Sequence, residues 1–146
     1  VTPFGARLRT LRADRGVTLK TLAAALRVSA AYLSALEHGQ RGAPGSGLVH
    51  QVCEFFGLIW DEADDLARLA KLSHPRVTVN TAGLTPEQTA LANRIAQTIH
   101  RLPPETVATM HALLDATSPH PKPRLRRAAG KSPPGERPAR QLAKPV

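Results

Sequence analysis

A chain of 146 residues has room for one ordinary domain and some extra length, not for two large ones. It holds no apolar run long enough to cross a membrane, its first stretch VTPFGARLRT lacks a secretory apolar core, and its single cysteine, Cys53, excludes an internal disulfide framework; together these read as a cytoplasmic protein. The net charge of +9 is uneven: residues 1–41 carry seven Lys/Arg against two acids, residues 42–117 five against eight, and residues 118–146 eight against one, so the two ends suit a polyanionic partner and the middle does not.

The first predicted element, PFGARLRTLRADRG, sets Phe4, Leu8 and Leu11 at helical spacing, and Gly16 closes it. Thr18 then caps a second helix in which Leu19, Leu22, Ala23 and Leu26 share a face. Ser29 caps a third, with Leu33 and Leu36 turned inward and Gly39 at its end. Three helices this short cannot each bury a face alone, so they must pack on one another. With three Phe, one Tyr and one Trp in the whole chain, the core rests mainly on Leu, Ala and Val.

A glycine-rich link, GQRGAPGSG, leads to LVHQVCEFFG, where Leu48, Val52, Phe55 and Phe56 are the expected core contribution. A fifth helix starts at WDEADDLARLAKLS, with Asp61 as the expected cap and acids at the positive end of the helix dipole. From 74 to 84 the pattern breaks: Val77 and Val79 alternate, which fits an extended linker or a short strand. Thr85, Pro86 and Gln88 then spell a helix start with a capping box, and Leu91, Ile95, Ile99 and Leu102 form its apolar stripe. Pro103 and Pro104 stop that helix and open another carrying Val107, Met110 and Leu114, giving a predicted helical hairpin over 85–117. Its narrow stripe must pack on the first domain or on a second copy. The last 29 residues hold seven prolines and eight Lys/Arg, the composition of a disordered basic tail.

The segment Gly16–Gly39, GVTLKTLAAALRVSAAYLSALEHG, resembles the helix-turn-helix of the Cro/repressor-like (XRE-type) DNA-binding regulators. The likeness spans roughly residues 4–72. It rests jointly on Gly16–Val17–Thr18, Leu22–Ala23, Val28–Ser29 and the run Leu33–Gly39, LSALEHG. It implies a five-helix lambda-repressor-like domain over 1–73; with the linker over 74–84, the hairpin over 85–117 and the tail over 118–146 read from the patterns above, the whole is expected to be all-α. Beside it stands a physical reading. Ala23 is small where two helices cross closely, Val28 plugs the turn, and Ser29 satisfies free N–H groups. Such an angle between helices lets the second enter a groove about 12 Å wide.

Carried over position by position, the resemblance implies that Ala30, Ala31, Tyr32 and Ala35 face the bases, with Ser34 beside them and the capping Ser29 also among the DNA-binding residues. Thr18, Lys20, Gln40 and Arg41 come near phosphate, and Arg12 pairs with Glu37 as a structural clamp. Two positions depart from the pattern: Leu19 stands where the family often has glutamine, and Arg27 where it often has glycine. A left-handed backbone at Arg27 would cost roughly 1–2 kcal/mol, so a looser turn is expected. Alanines cannot make the bidentate bonds that discriminate guanine or adenine, so base selectivity should be modest, with Tyr32 and Ser34 supplying hydroxyls. The plainer alternative is that these alanines only favour helix formation.

Other signals are weaker. His50, Cys53 and Glu54 are close in sequence, but no second cluster has zinc-site spacing, and a buried apolar cysteine is the simpler reading. No catalytic constellation, cofactor motif or ligand pocket is legible. The expected function is sequence-specific transcriptional regulation, by promoter occupancy as a repressor. The expected partner is double-stranded DNA, with a homodimer or a protein partner also open. The alternatives are an antitoxin-like autoregulator binding a toxin, or a protein-interaction module on the same scaffold without specific DNA binding.

Overall fold

In the computed structural model, which describes residues 1–117, seven α-helices follow one another: α1 Pro3–Asp14, α2 Leu19–Ala25, α3 Ala30–Glu37, α4 Ser46–Phe56, α5 Asp61–Lys71, α6 Pro86–Thr98 and α7 Pro104–Thr117. A 3-10 turn, Ile99–Arg101, lies between the last two. No strand occurs among the described residues; around Val77 and Val79 the chain is irregular and exposed, so the short-strand alternative does not form. The expected basic tail, 118–146, lies outside the described residues. The chain divides into two compact units, the first ending at Gly83 and the second starting at Leu84.

Local chemistry sets the helix starts. The hydroxyls of Thr2, Thr18 and Ser29 accept from the backbone N–H groups of Gly5, Thr21 and Tyr32, each satisfying a donor that the first helical turn leaves open. Gly16 and Gly39 take left-handed φ angles of 62° and 77° just past α1 and α3, and Gly57 ends α4 with φ 67°. In the first unit, α2 packs on α3, α4 on α5, and α1 on both α3 and α5. α1 is thus the strut that joins the two pairs. Phe4, Leu8, Leu22, Leu33, Val52, Phe56 and Leu66 fill the core between them. Polar ties close both ends of the strut. Ser73 Oγ accepts from the Phe4 N–H at 2.8 Å and donates to the Leu69 carbonyl, while Arg15 donates to the Phe56 carbonyl at 3.2 Å.

Two expectations are corrected. The buried face of α4 is Val49, Val52, Cys53 and Phe56, one i, i+3, i+4, i+7 stripe. Leu48 only packs against its edge. Phe55 turns outward, 38% exposed, and meets Phe56 edge-on with ring centroids 4.9 Å apart. Adjacent aromatics cannot share one helical face, and the stripe takes the one in register. Asp61 is not the cap of α5: it is the first helical residue, and Trp60 holds the cap position with φ 53° and makes no side-chain capping hydrogen bond. Asp61, Glu62 and Asp64 still sit in the first turn, where the dipole favours them.

In the second unit, α6 starts with the full capping box: Thr85 Oγ1 accepts from the Gln88 N–H, and the Gln88 side chain accepts from the Thr85 N–H. Neither α6 nor α7 buries a residue. Ile95, Leu102, Val107 and Met110 are half-buried, whereas Leu91, Ile99 and Leu114 are exposed. No single helix among the described residues is long and apolar enough to cross a membrane.

Candidate nucleic-acid interface

The chain bends by 111° between α2 and α3, within the roughly 90–120° at which such helix pairs are joined. Three features hold that bend. Ala23, buried at the crossing, accepts from the Val28 N–H at 3.0 Å through its carbonyl. Val28 packs against the core beneath the turn. Arg27 adopts φ 56°, so the tight left-handed turn is kept despite the missing glycine. The looser turn expected from Arg27 is therefore not what forms; the packing of α2 and α3 holds the strained residue in place.

The first turn of α3 and its flanks face outward. Ser29 and Ala31 are exposed, Ser34 and Ala35 half-exposed, and Thr18, Lys20, Gln40 and Arg41 exposed around them. Ala30 and Tyr32 are half-buried and lean on the core, which holds their orientation. The Ser29 hydroxyl accepts from the Tyr32 N–H, and Thr18 Oγ1 lies 2.8 Å from Thr21 Oγ1. The structure thus gathers the ten expected contact residues around the outer start of α3, the start of α2 and the α3–α4 link.

At the other end of α3, Glu37 is 2% exposed. Its carboxylate meets Arg12 Nη2 at 3.2 Å, the expected pair, and also Arg9 Nε at 3.0 Å. Two guanidiniums from one face of α1 therefore neutralise a buried charge that a single one would leave half-satisfied. The Arg9 guanidinium continues to His38, its Nη2 lying 2.8 Å from Nε2, while His38 Nδ1 lies 2.8 Å from the Ser34 carbonyl. A carbonyl only accepts, so Nδ1 carries the proton and Nε2 accepts from Arg9. Gly5 completes the clamp. A Cβ there would run into the Glu37 carbonyl oxygen, which already accepts from the Thr2 N–H at 3.0 Å.

Arg9, His38 and Gly5 are the positions that sequence reasoning passed over. Arg9 lies three residues before Arg12 on a helix, a spacing that could have signalled a second cation on the same face. Nothing local marked Gly5, because its neighbour is more than thirty residues away.

Elsewhere, His50 Nε2 lies 3.3 Å from Glu54 Oε1, one helical turn apart, and Cys53 faces the core, where burial pushes its thiol pKa up. Among the described residues no three His, Cys, Asp or Glu side chains are grouped to hold a metal ion.

Residues 3–66 match a family model described as a helix-turn-helix domain. No curated protein and no solved structure matches the chain.

Proposed function

We propose that the helix-turn-helix domain of residues 3–66 makes this chain a sequence-specific DNA-binding transcriptional regulator that represses by occupying promoter DNA. One observation carries the reading. Ser29 and Ala31 stand exposed at the start of α3, beside the 111° bend, in a segment where Lys/Arg outnumber acids seven to two.

In this reading α3 enters the major groove and α2 lies across the backbone. Thr18, Lys20, Gln40 and Arg41 meet phosphate and set register. Ser29, Ala30, Ala31, Tyr32, Ser34 and Ala35 meet base edges, the alanines through thymine methyls and the hydroxyls through hydrogen bonds. Specificity is then modest base by base and leans on DNA shape. The reading includes a homodimer joined through residues 85–117: α6 and α7 bury none of their own residues, and paired readers place two half-sites about one helical turn apart. The setting would be the cytoplasm.

The test is selection from a randomised duplex pool at near-physiological salt, with full-length protein and with residues 1–117. One enriched motif from both establishes sequence-specific regulation, and paired half-sites add the dimer. Binding without enrichment replaces the regulator with an architectural DNA binder. Absence of binding by residues 1–117 turns the scaffold into a protein-interaction module, whereas enrichment together with capture of a toxin-like partner would favour an antitoxin-like autoregulator. Within an enriched motif, Tyr32→Ala with Ser34→Ala should relax preference at one or two positions, by about 1–3 kcal/mol each.

A further inference from the structure

On the first unit, α4, α5, the links on either side of α4 and His74 line an open cavity of about 690 Å³, to which α2 and α3 contribute nothing. Its floor reaches the core at Val49, Cys53, Leu58 and Ala70. The apolar side chains that α5 presents there are all alanines, Ala63, Ala67 and Ala70, which leaves space opposite α4. Ile59 and Trp60 form a wall and are 63% and 60% exposed. Trp60 holds its place through a backbone with φ 53° and ψ −120°, a conformation that L side chains rarely adopt and that concentrates at ligand clamps.

The polar residues on the lining are Ser46, Glu54, Asp64, His50, His74 and Lys71. Asp61, Glu62 and Asp65 flank them, so residues 42–73 carry five acids against two Lys/Arg. This is the opposite sign to residues 1–41. An apolar cavity with an aromatic wall and a negative surround favours a positive charge on an apolar body, through ring-face attraction and carboxylate attraction together. Its volume falls within the roughly 300–1,000 Å³ of small-molecule sites.

We propose that this cavity binds a compact, mainly apolar organic cation, its body against Trp60 and the alanines of α5 and its charge held by Glu54 and Asp64. The site is separate from the face assigned to DNA and does not depend on that assignment.

Trp60 is the sole tryptophan, so its emission reports occupancy directly. The full-length chain, free of DNA, is titrated with tetraphenylphosphonium and, separately, with tetraphenylborate, which carries the same four phenyl groups and the opposite charge. The expected result is a saturable one-to-one change with the cation, at an affinity about tenfold or more above that for the borate. Glu54→Gln with Asp64→Asn, both at exposed positions, should weaken the cation by about tenfold and leave the borate no weaker. Ala67→Phe, which fills the cavity, should abolish the response. If the cavity-filling variant fails to fold, judged by circular dichroism, the charge-neutral pair still decides. No saturable change with the cation, equal or tighter borate binding, or unaltered cation binding by the charge-neutral pair would each overturn the proposal. The first of these would leave an apolar segment of a partner protein as the occupant to seek.

Discussion

Glu37 shows how one residue can govern the presentation of a whole helix. Buried at the end of α3, it is held by Arg12, 18% exposed at its side chain, and by Arg9, 39% exposed. The more buried partner should matter more. Arg12→Met should destabilise by about 2–3 kcal/mol in urea unfolding, and Arg9→Met by about 1 kcal/mol, since solvent screens it. With both replaced, Glu37 is a buried charge without a cation, and the pair should cost about 3–5 kcal/mol. Arg27 is the second residue-scale case. Its φ of 56° strains a side chain whose tip is in solvent. Arg27→Gly relieves that strain and gives back part of the gain as unfolded-chain entropy, so the melting midpoint should rise, with a net stabilisation of about 0.5–1 kcal/mol.

Among elements, α6 and α7 differ in kind from the five that precede them. α1 to α5 each bury side chains in a shared core, whereas α6 and α7 bury none and depend on capping and helix propensity. Helices of 13 and 14 residues are marginal on those terms alone. Hydrogen exchange at dilute concentration should therefore find the amides of 86–117 opening well before the core amides of α1 and α3. Thr85→Ala removes the capping box and should lower protection in α6 by about 1 kcal/mol while leaving α1 to α5 unchanged. Protection of α6 that climbs with protein concentration would be the signature of the proposed dimer.

Across the whole molecule, charge is sorted by segment: basic over 1–41, acidic over 42–117, basic again over 118–146. The terminal segment adds eight Lys/Arg that can release counterions from a nucleic-acid backbone. Removing 118–146 should weaken binding to all duplexes alike and flatten the dependence of affinity on salt, measured by fluorescence anisotropy across a salt series. An unchanged slope would assign the tail no part in binding. The acidic middle predicts that docking on duplex DNA is one-sided, with α4 and α5 facing away from phosphate.

What the sequence by itself determined were the features governed by neighbours three or four residues apart. Thr18, Ser29 and Thr85 cap their helices where expected, the glycines end α1 and α3, and the Leu spacing of α1, α2 and α3 supplies the core. Periods and caps are local physics, and a linear string carries local physics in full. Arg12 with Glu37 was legible only through the family likeness, since nothing within either helix points to the other. The tertiary structure alone decided the rest. It put Arg9 beside Glu37, Gly5 under the end of α3, Phe55 outside the core, and a cavity between α4 and α5. Each of these is set by how closely and at what angle two helices approach, a quantity fixed by the packing of all the side chains between them rather than by any one stretch of chain.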